Sequence, residues 1–219
     1  MPVSITVADH RHYSYAPSIC AMMEAAAKVR GTGIAKRDPK YLTDKMKEGQ
    51  AVIALDGRKL VGFCYIESWE NKKFVANSGL IIHPDYRNQG LARAIKKATF
   101  QLSKEKFPQA RLFGITTSMA VMKINSSLGY KPVTFSELTR DEKFWQGCRS
   151  CTNYDILQRT HRKMCLCTAM VCDLKEVRDG TPAEERSRAG FAAFLKDRKE
   201  RLKQSLDKLP HVIHRIKLF

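Results

Sequence analysis

Along the first four-fifths of the chain, apolar residues recur alternately at a period of two and at a helical period, in short runs broken by Gly, Pro and Asp. Residues 3–7 (VSITV) predict a short strand. Residues 18–30 predict a helix: Ile19, Met22, Met23, Ala26 and Val29 fall at helical spacing and Gly31 stops it. A second helix is predicted over 39–48, with Asp38 as N-cap, Pro39 at the first helical position and Gly49 just past the end. The runs 51–55 and 59–67 read as a hairpin across Asp56-Gly57, a strong turn pair. A third strand follows at 74–82, then a long helix from Leu91 to about Lys106, with Pro108 beyond it. Further strands are predicted at 111–117, 130–135 and 165–174, and a helix over 119–128 ended by Gly129. Residues 175–219 change character, with 12 basic and seven acidic residues and no strand-like run. From Pro182 they predict one amphipathic helix, with Phe191, Phe194, Leu195, Leu202, Leu206 and Leu209 on one face.

This order predicts an α/β (α+β) domain over 1–174, a mixed, mostly antiparallel central sheet with helices on both faces. A basic C-terminal helical extension follows over 175–219. That helix is expected to dock on its own domain or on a second subunit, which would make a homodimer. An anionic membrane surface or nucleic acid are the alternatives. The 219 residues are 43% hydrophobic and 28% charged, near the globular norm, which excludes a disordered or fibrous chain. No apolar run approaches the roughly 20 residues of a membrane span. MPVSITVADH lacks the charged and apolar regions of a secretion signal, so a cytoplasmic protein is expected. The net charge of +17 should attract anions: nucleic acid, acidic lipid or a polyphosphate cofactor.

The segment that chooses among these is GLIIHPDYRNQGLARA, residues 79–94. A strand ends at Pro84, and Arg87-Asn88-Gln89-Gly90-Leu91-Ala92 leads straight into a helix. The first N–H groups of that helix have no internal partner and lie at the positive end of its dipole, which makes an anion site. Gly90 offers no side chain against an approaching phosphate, Ala92 keeps the next turn close to the sheet, and Arg87 adds a charged donor. The chemistry suits a pyrophosphate.

Arg-x-x-Gly-x-Ala after an Ile-x-Pro strand end resembles the acyl-CoA-binding motif of the GCN5-related N-acetyltransferase (GNAT) superfamily. INSSLGYKPV (124–133) resembles its second motif, and the element order over 1–174 is similar to the family's. The resemblance implies the GNAT fold, with the sheet opening between strands 74–82 and 111–117. It places a pantetheine arm against the backbone of Leu80, Ile81 and Ile82, and a diphosphate on Arg87, Asn88, Gln89, Gly90, Leu91 and Ala92. It implies direct attack of an amine on the thioester of acetyl-CoA, or of another acyl-CoA such as succinyl-CoA.

Two departures stand out. Strand 74–82 carries no carboxylate where many members have a Glu base, which leaves Glu67 and His83 as candidates acting through water. Many members place a Tyr four residues before the second-motif Gly. Asn125 stands there, a candidate for catalytic and cofactor contact. Tyr65 and Tyr130 are alternative acids, or core residues.

Downstream, LFGITT, LGYKPV, SELTRDEKFW and a Cys-rich loop are more loosely similar to the acetyltransferase domain of N-acetylglutamate synthases. This implies amino-acid metabolism: a small amine acceptor, an amino acid, with glutamate the leading candidate. Arg30, Lys36, Arg37 and Lys123 are candidate cations for an acidic acceptor, or for an acidic acyl group. The alternatives are a nucleic-acid or ribosome-associated protein on the same fold, for which no basic stretch interleaved with aromatics speaks, and a protein N-acetyltransferase.

Seven Cys without an export signal favour reduced thiols or metal ligands over disulfides. Cys148-x2-Cys151 and Cys165-x-Cys167 could converge on a structural zinc, the second pair sharing one face of the last strand. The alternative is plain thiols, two in a loop and two packed in a strand. Cys20, Cys64 and Cys172 read as core.

Overall fold

The computed structural model describes residues 2–30 and 36–177. The helix predicted from Pro182 lies outside the described residues, as does the loop 31–35. The extension read over 175–219 is described only as far as Val177, which packs against the domain core.

The sheet has seven strands: β1 (Ser4–Val7), β2 (Ala51–Asp56), β3 (Lys59–Trp69), β4 (Phe74–Ile82), β5 (Arg111–Thr116), β6 (Lys131–Val133) and β7 (Thr168–Asp173). Their spatial order is β1-β2-β3-β4-β5-β7-β6. Every neighbouring pair is antiparallel except β4 and β5, which run parallel. The helices are α1 (Ala16–Arg30), α2 (Pro39–Lys47), α3 (Leu91–Lys106), α4 (Met119–Ser127), α5 (Glu142–Gln146) and α6 (Tyr154–Arg159). The Asp38 carboxylate accepts from the Lys40 N–H at 2.7 Å and starts α2 where its cap was read. No described helix is long and apolar enough to cross a membrane.

Strand alternation divides the core. On one face Val52, Val61, Cys64, Ile66, Val75 and Leu112 pack with Leu91, Ile95 and Phe100 of α3 in one continuous cluster. The other face carries two clusters. Ile53, Phe63, Tyr65 and Ile81 meet Ile19 and Met23 of α1 and Leu42 and Met46 of α2. Phe74, Ala76, Phe113, Ala169 and Val171 meet Phe135, Trp145 and Leu157.

The last strand is shorter than the pattern suggested. It starts at Thr168, so Cys165 and Cys167 stand in the irregular stretch before it and not on a strand face. The loop between β6 and β7 also folds into α5 and α6, which the sequence pattern did not separate from loop.

Candidate active site

A short 3-10 turn, Pro84–Tyr86, carries the chain from β4 to α3. Gly90 then caps α3 in the left-handed region, at φ 80, a conformation that penalises any Cβ. No side chain caps this end, so the first N–H groups of the helix stay available. A Cβ built on Gly90 would meet nothing within 4 Å, which leaves the approach to those groups open. Asn88 and Gln89 are exposed beside it. The Arg87 guanidinium turns back, its Nε donating to the Ile82 carbonyl at 3.4 Å. Arg93, one residue past the motif string, is exposed and reaches Ser127 Oγ of α4 at 3.4 Å. It puts a cation across the gap between the two helices. Its helical position after Gly90 would have signalled this.

β4 and β5 are paired only from Phe74–Arg111 to Ala76–Phe113. Beyond those three pairs they part, and from Asn77 onward β4 has no partner on its β5 side. Its other edge slips: Phe63 faces Ile81 but Tyr65 faces Ser78, so β4 carries one extra residue there. Gly79, at φ 63, makes that bulge. A Cβ on it would lie 2.4 Å from the Tyr65 ring and 2.9 Å from Met23 Cε. The position therefore needs Gly for both conformation and space. An isolated Gly in a strand pattern was the available signal.

At the opening lies a cavity of about 1020 Å³ between the two front clusters. Its lining runs from Arg37, Tyr41, Tyr65 and Glu67 past Trp69 and Phe113 to Phe144 and the four loop cysteines. Glu67, two residues beyond Tyr65 on β3, shares its face. Its Oε1 accepts from Tyr41 Oη at 2.6 Å and from Arg37 Nη2 at 3.2 Å. Arg37 Nε donates to Tyr65 Oη at 2.7 Å. Burial, with the Glu67 carboxylate next, pushes both phenols above their ordinary range. Burial works against the Arg37 charge, and the electrostatic pull of Tyr65 and Glu67 more than offsets it.

Glu67 is therefore in the cavity, held by two donors. His83 is not in its lining: its Nδ1 accepts from the Asp85 N–H at 3.4 Å and caps the turn before α3. Asn125 is 2% exposed and stands behind Gly114, outside the lining. Its Nδ2 points at Met170 Sδ, 3.8 Å away, and its Oδ1 has no partner. Leu80 lines the cavity, whereas the Ile81 and Ile82 side chains are buried and leave only backbone to the gap. Of the candidate cations, Arg37 lines the cavity and Lys36 lies at its edge, paired with Glu24 at 3.2 Å. Lys123 is exposed on α4, away from the lining. The Arg30 side chain lies outside the described residues. Tyr41, the hydroxyl donor to Glu67, was missed, because nothing local distinguishes it from a solvated tyrosine on α2.

Cys148, Cys151, Cys165 and Cys167 share the far side of the cavity. All seven cysteines are free thiols. Burial, then the neighbouring Cys151 and Cys165, pushes Cys148 up to about 11. Burial, then Cys165, pushes Cys167 up to about 12. Yet no group of three or more His, Cys, Asp or Glu among the described residues is placed to hold a metal ion, so the arrangement lends a zinc centre no support. With the second pair off the strand, the shared face on which that reading rested is gone.

Residues 20–120 match the Acetyltransferase (GNAT) family. The fold agrees with solved structures at low identity. One is the N-acetylglutamate synthase of Neisseria gonorrhoeae complexed with coenzyme A and N-acetyl-glutamate, 16% identical over 80% of this chain, TM-score 0.57. This chain spans 35% of that synthase's length. Another is yncA of Salmonella typhimurium with its cofactor acetyl-CoA, 13% identical, covering 83% of this chain and 99% of its own, TM-score 0.56. A third is the ribosomal-protein-S18-alanine N-acetyltransferase of Escherichia coli, 14% identical, covering 82% and 99%, TM-score 0.50. No curated protein matches the sequence.

Proposed function

We propose that this protein transfers the acyl group of an acyl-CoA, acetyl-CoA first and succinyl-CoA as the alternative donor, to the amino group of an amino acid, with glutamate the leading acceptor. One observation carries the reading: β4 and β5 part after three pairs, so the free edge of β4 runs from a large cavity, lined as far as Leu80, toward the turn that starts an uncapped helix.

The residues present fit the donor. The open cradle over Gly90, with Arg87 and Arg93 beside it, suits a diphosphate. The free edge of β4 from Asn77 to Ile82 offers backbone groups to a pantetheine arm. The thioester supplies an activated carbonyl. The unpaired backbone at the Gly79 bulge is the candidate donor to the oxyanion that forms on attack. The cavity aligns the amine with that carbonyl. Glu67 is a carboxylate on the cavity wall, and its place beside Arg37 suits it to hold an ammonium and pass its proton to water. Arg37, Lys36 and Lys45 give the acceptor side a cationic border, as an acidic amino acid requires.

Thermal unfolding against CoA, acetyl-CoA, succinyl-CoA and a short oligonucleotide, at two salt concentrations, tests this. A ligand at a hundredfold its dissociation constant adds about 2.7 kcal/mol. Stabilisation by an acyl-CoA is the expected result. A shift with the oligonucleotide alone, lost at high salt, would replace the enzyme reading with a nucleic-acid one.

A further inference from the structure

The ion pair on the cavity wall is only half used. The Arg37 and Glu67 side chains are 20% and 12% exposed, so both charges have given up most of their water. Such a pair recovers its desolvation cost only when its remaining donors and acceptors find partners. Among the described residues, Arg37 directs Nε to Tyr65, Nη1 to the Lys36 carbonyl and Nη2 to Glu67. A guanidinium has five N–H groups, so two are left over. Glu67 Oε1 has two donors, whereas Oε2 has only a 3.5 Å contact with the same Arg37 nitrogen. The neighbouring Lys45 does not compete, being tied to Glu48 at 2.9 Å and Gln50 at 3.3 Å.

From these residues we infer that Arg37 and Glu67 together recognise the zwitterionic head of a free α-amino acid. The inference rests on the acyltransferase reading and deepens it. The unused face of Glu67 takes the α-ammonium, and the unused N–H groups of Arg37 take the α-carboxylate. An opposite-charge pair held about one hydrogen bond apart matches a ligand whose own two charges are separated by a single carbon. A simple amine leaves the guanidinium unpaired. A protein N-terminus or lysine places a neutral amide where the carboxylate should be. The wall thus selects against both before the side chain of the acceptor is read, and Tyr41 and Tyr65 hold the two charges in register. Glu67 is a binding residue in this arrangement, and its bonds to Arg37 and Tyr41 hold it in place for that task.

The test compares L-glutamate, L-leucine and L-phenylalanine with their α-methyl esters and their decarboxylated amines. Binding is measured by calorimetry on the CoA-saturated protein, and turnover with acetyl-CoA alongside. At least one free amino acid should bind on the order of 10- to 100-fold more tightly than its ester or amine, the range of a charge-assisted hydrogen bond. Arg37→Met should erase the preference of acid over ester, and Arg37→Lys should restore part of it. Glu67→Gln should weaken all the amines while leaving the dissociation constant of CoA unchanged. Equal binding of acid and ester, or a preference that survives Arg37→Met in a protein that still melts cooperatively, overturns the inference. Failure to bind CoA at all would instead sink the acyltransferase reading. The calorimetric comparison of acid with ester, repeated without CoA, would then still decide what the ion pair recognises.

Discussion

The two faces of β4 are built from the same nine residues and do opposite things. Behind the strand, Val75 and Ile82 sink into a continuous cluster sealed by α3. In front, Ala76 belongs to one cluster and Ile81 to another, and the cavity lies between them. The difference is in the cover. A single 16-residue helix spans the back. The front is covered by α1 and α2 on one side and the short helices α5 and α6 on the other, and Gly79 keeps the strand bulged between them. A sheet face becomes a site where two covering layers fail to meet.

The largest effect is expected at the bulge. Gly79→Ala puts a Cβ 2.4 Å from the Tyr65 ring at a left-handed residue. Strain and overpacking together should cost about 2–5 kcal/mol, read by urea denaturation. An unchanged midpoint would mean that the front does not depend on the bulge. Next is Gly90→Glu, which sets a carboxylate over the cradle and should weaken CoA binding by on the order of 100-fold in calorimetry, through clash and like-charge repulsion. Its effect on amino-acid binding should be small, which separates the end of the strand from its front.

The sealed back has its own test in Lys96. This α3 residue is 3% exposed, its ammonium lies over the Tyr130 ring at 5.3 Å, and burial lowers it from 10.5 to about 8. The unfolded chain therefore binds more protons between pH 8 and 10.5, so stability rises with pH across that window and the full penalty stands below pH 8. Lys96→Met should be more stable than the wild type by about 3 kcal/mol at pH 7, the difference shrinking toward pH 10.5. A difference independent of pH would assign the effect to packing. Smaller still is Tyr41→Phe, which removes the 2.6 Å bond to Glu67 and should cost about 1 kcal/mol of acceptor binding with CoA affinity unchanged. On the far side of the cavity, alkylation of Cys148 should be slow at pH 7 and accelerate up to about pH 11, since the thiolate is the nucleophile. A fast reaction at pH 7 would show that its surroundings are more polar than the packing indicates.

Much of this was legible beforehand where the signal is local. Asp38, Pro39 and Gly49 bracket α2 because caps act within one turn. β4 was read at its true bounds because its apolar ends, FVA and LII, are bracketed by Lys72-Lys73 and His83-Pro84. The reading failed where long-range packing decides. CLCTAMVCDL looks β-prone throughout, but only Thr168 to Asp173 find β5 as a partner. Glu67 and His83 were equal candidates in the sequence, and only the sheet register put one in the cavity and left the other capping a turn.

By itself the sequence determined the cradle. Residues 87–92 are contiguous, and an uncapped helix start offers its N–H groups whatever surrounds it. The charged wall of the cavity was decided by tertiary structure alone. Arg37, Tyr41 and Glu67 come from the segment before α2, from α2 and from β3, and the thiols from a loop more than 80 residues on. Arg37 and Glu67 find each other, and Tyr41, Cys148 and Cys167 are pushed above their ordinary range, only when packing removes the water around them.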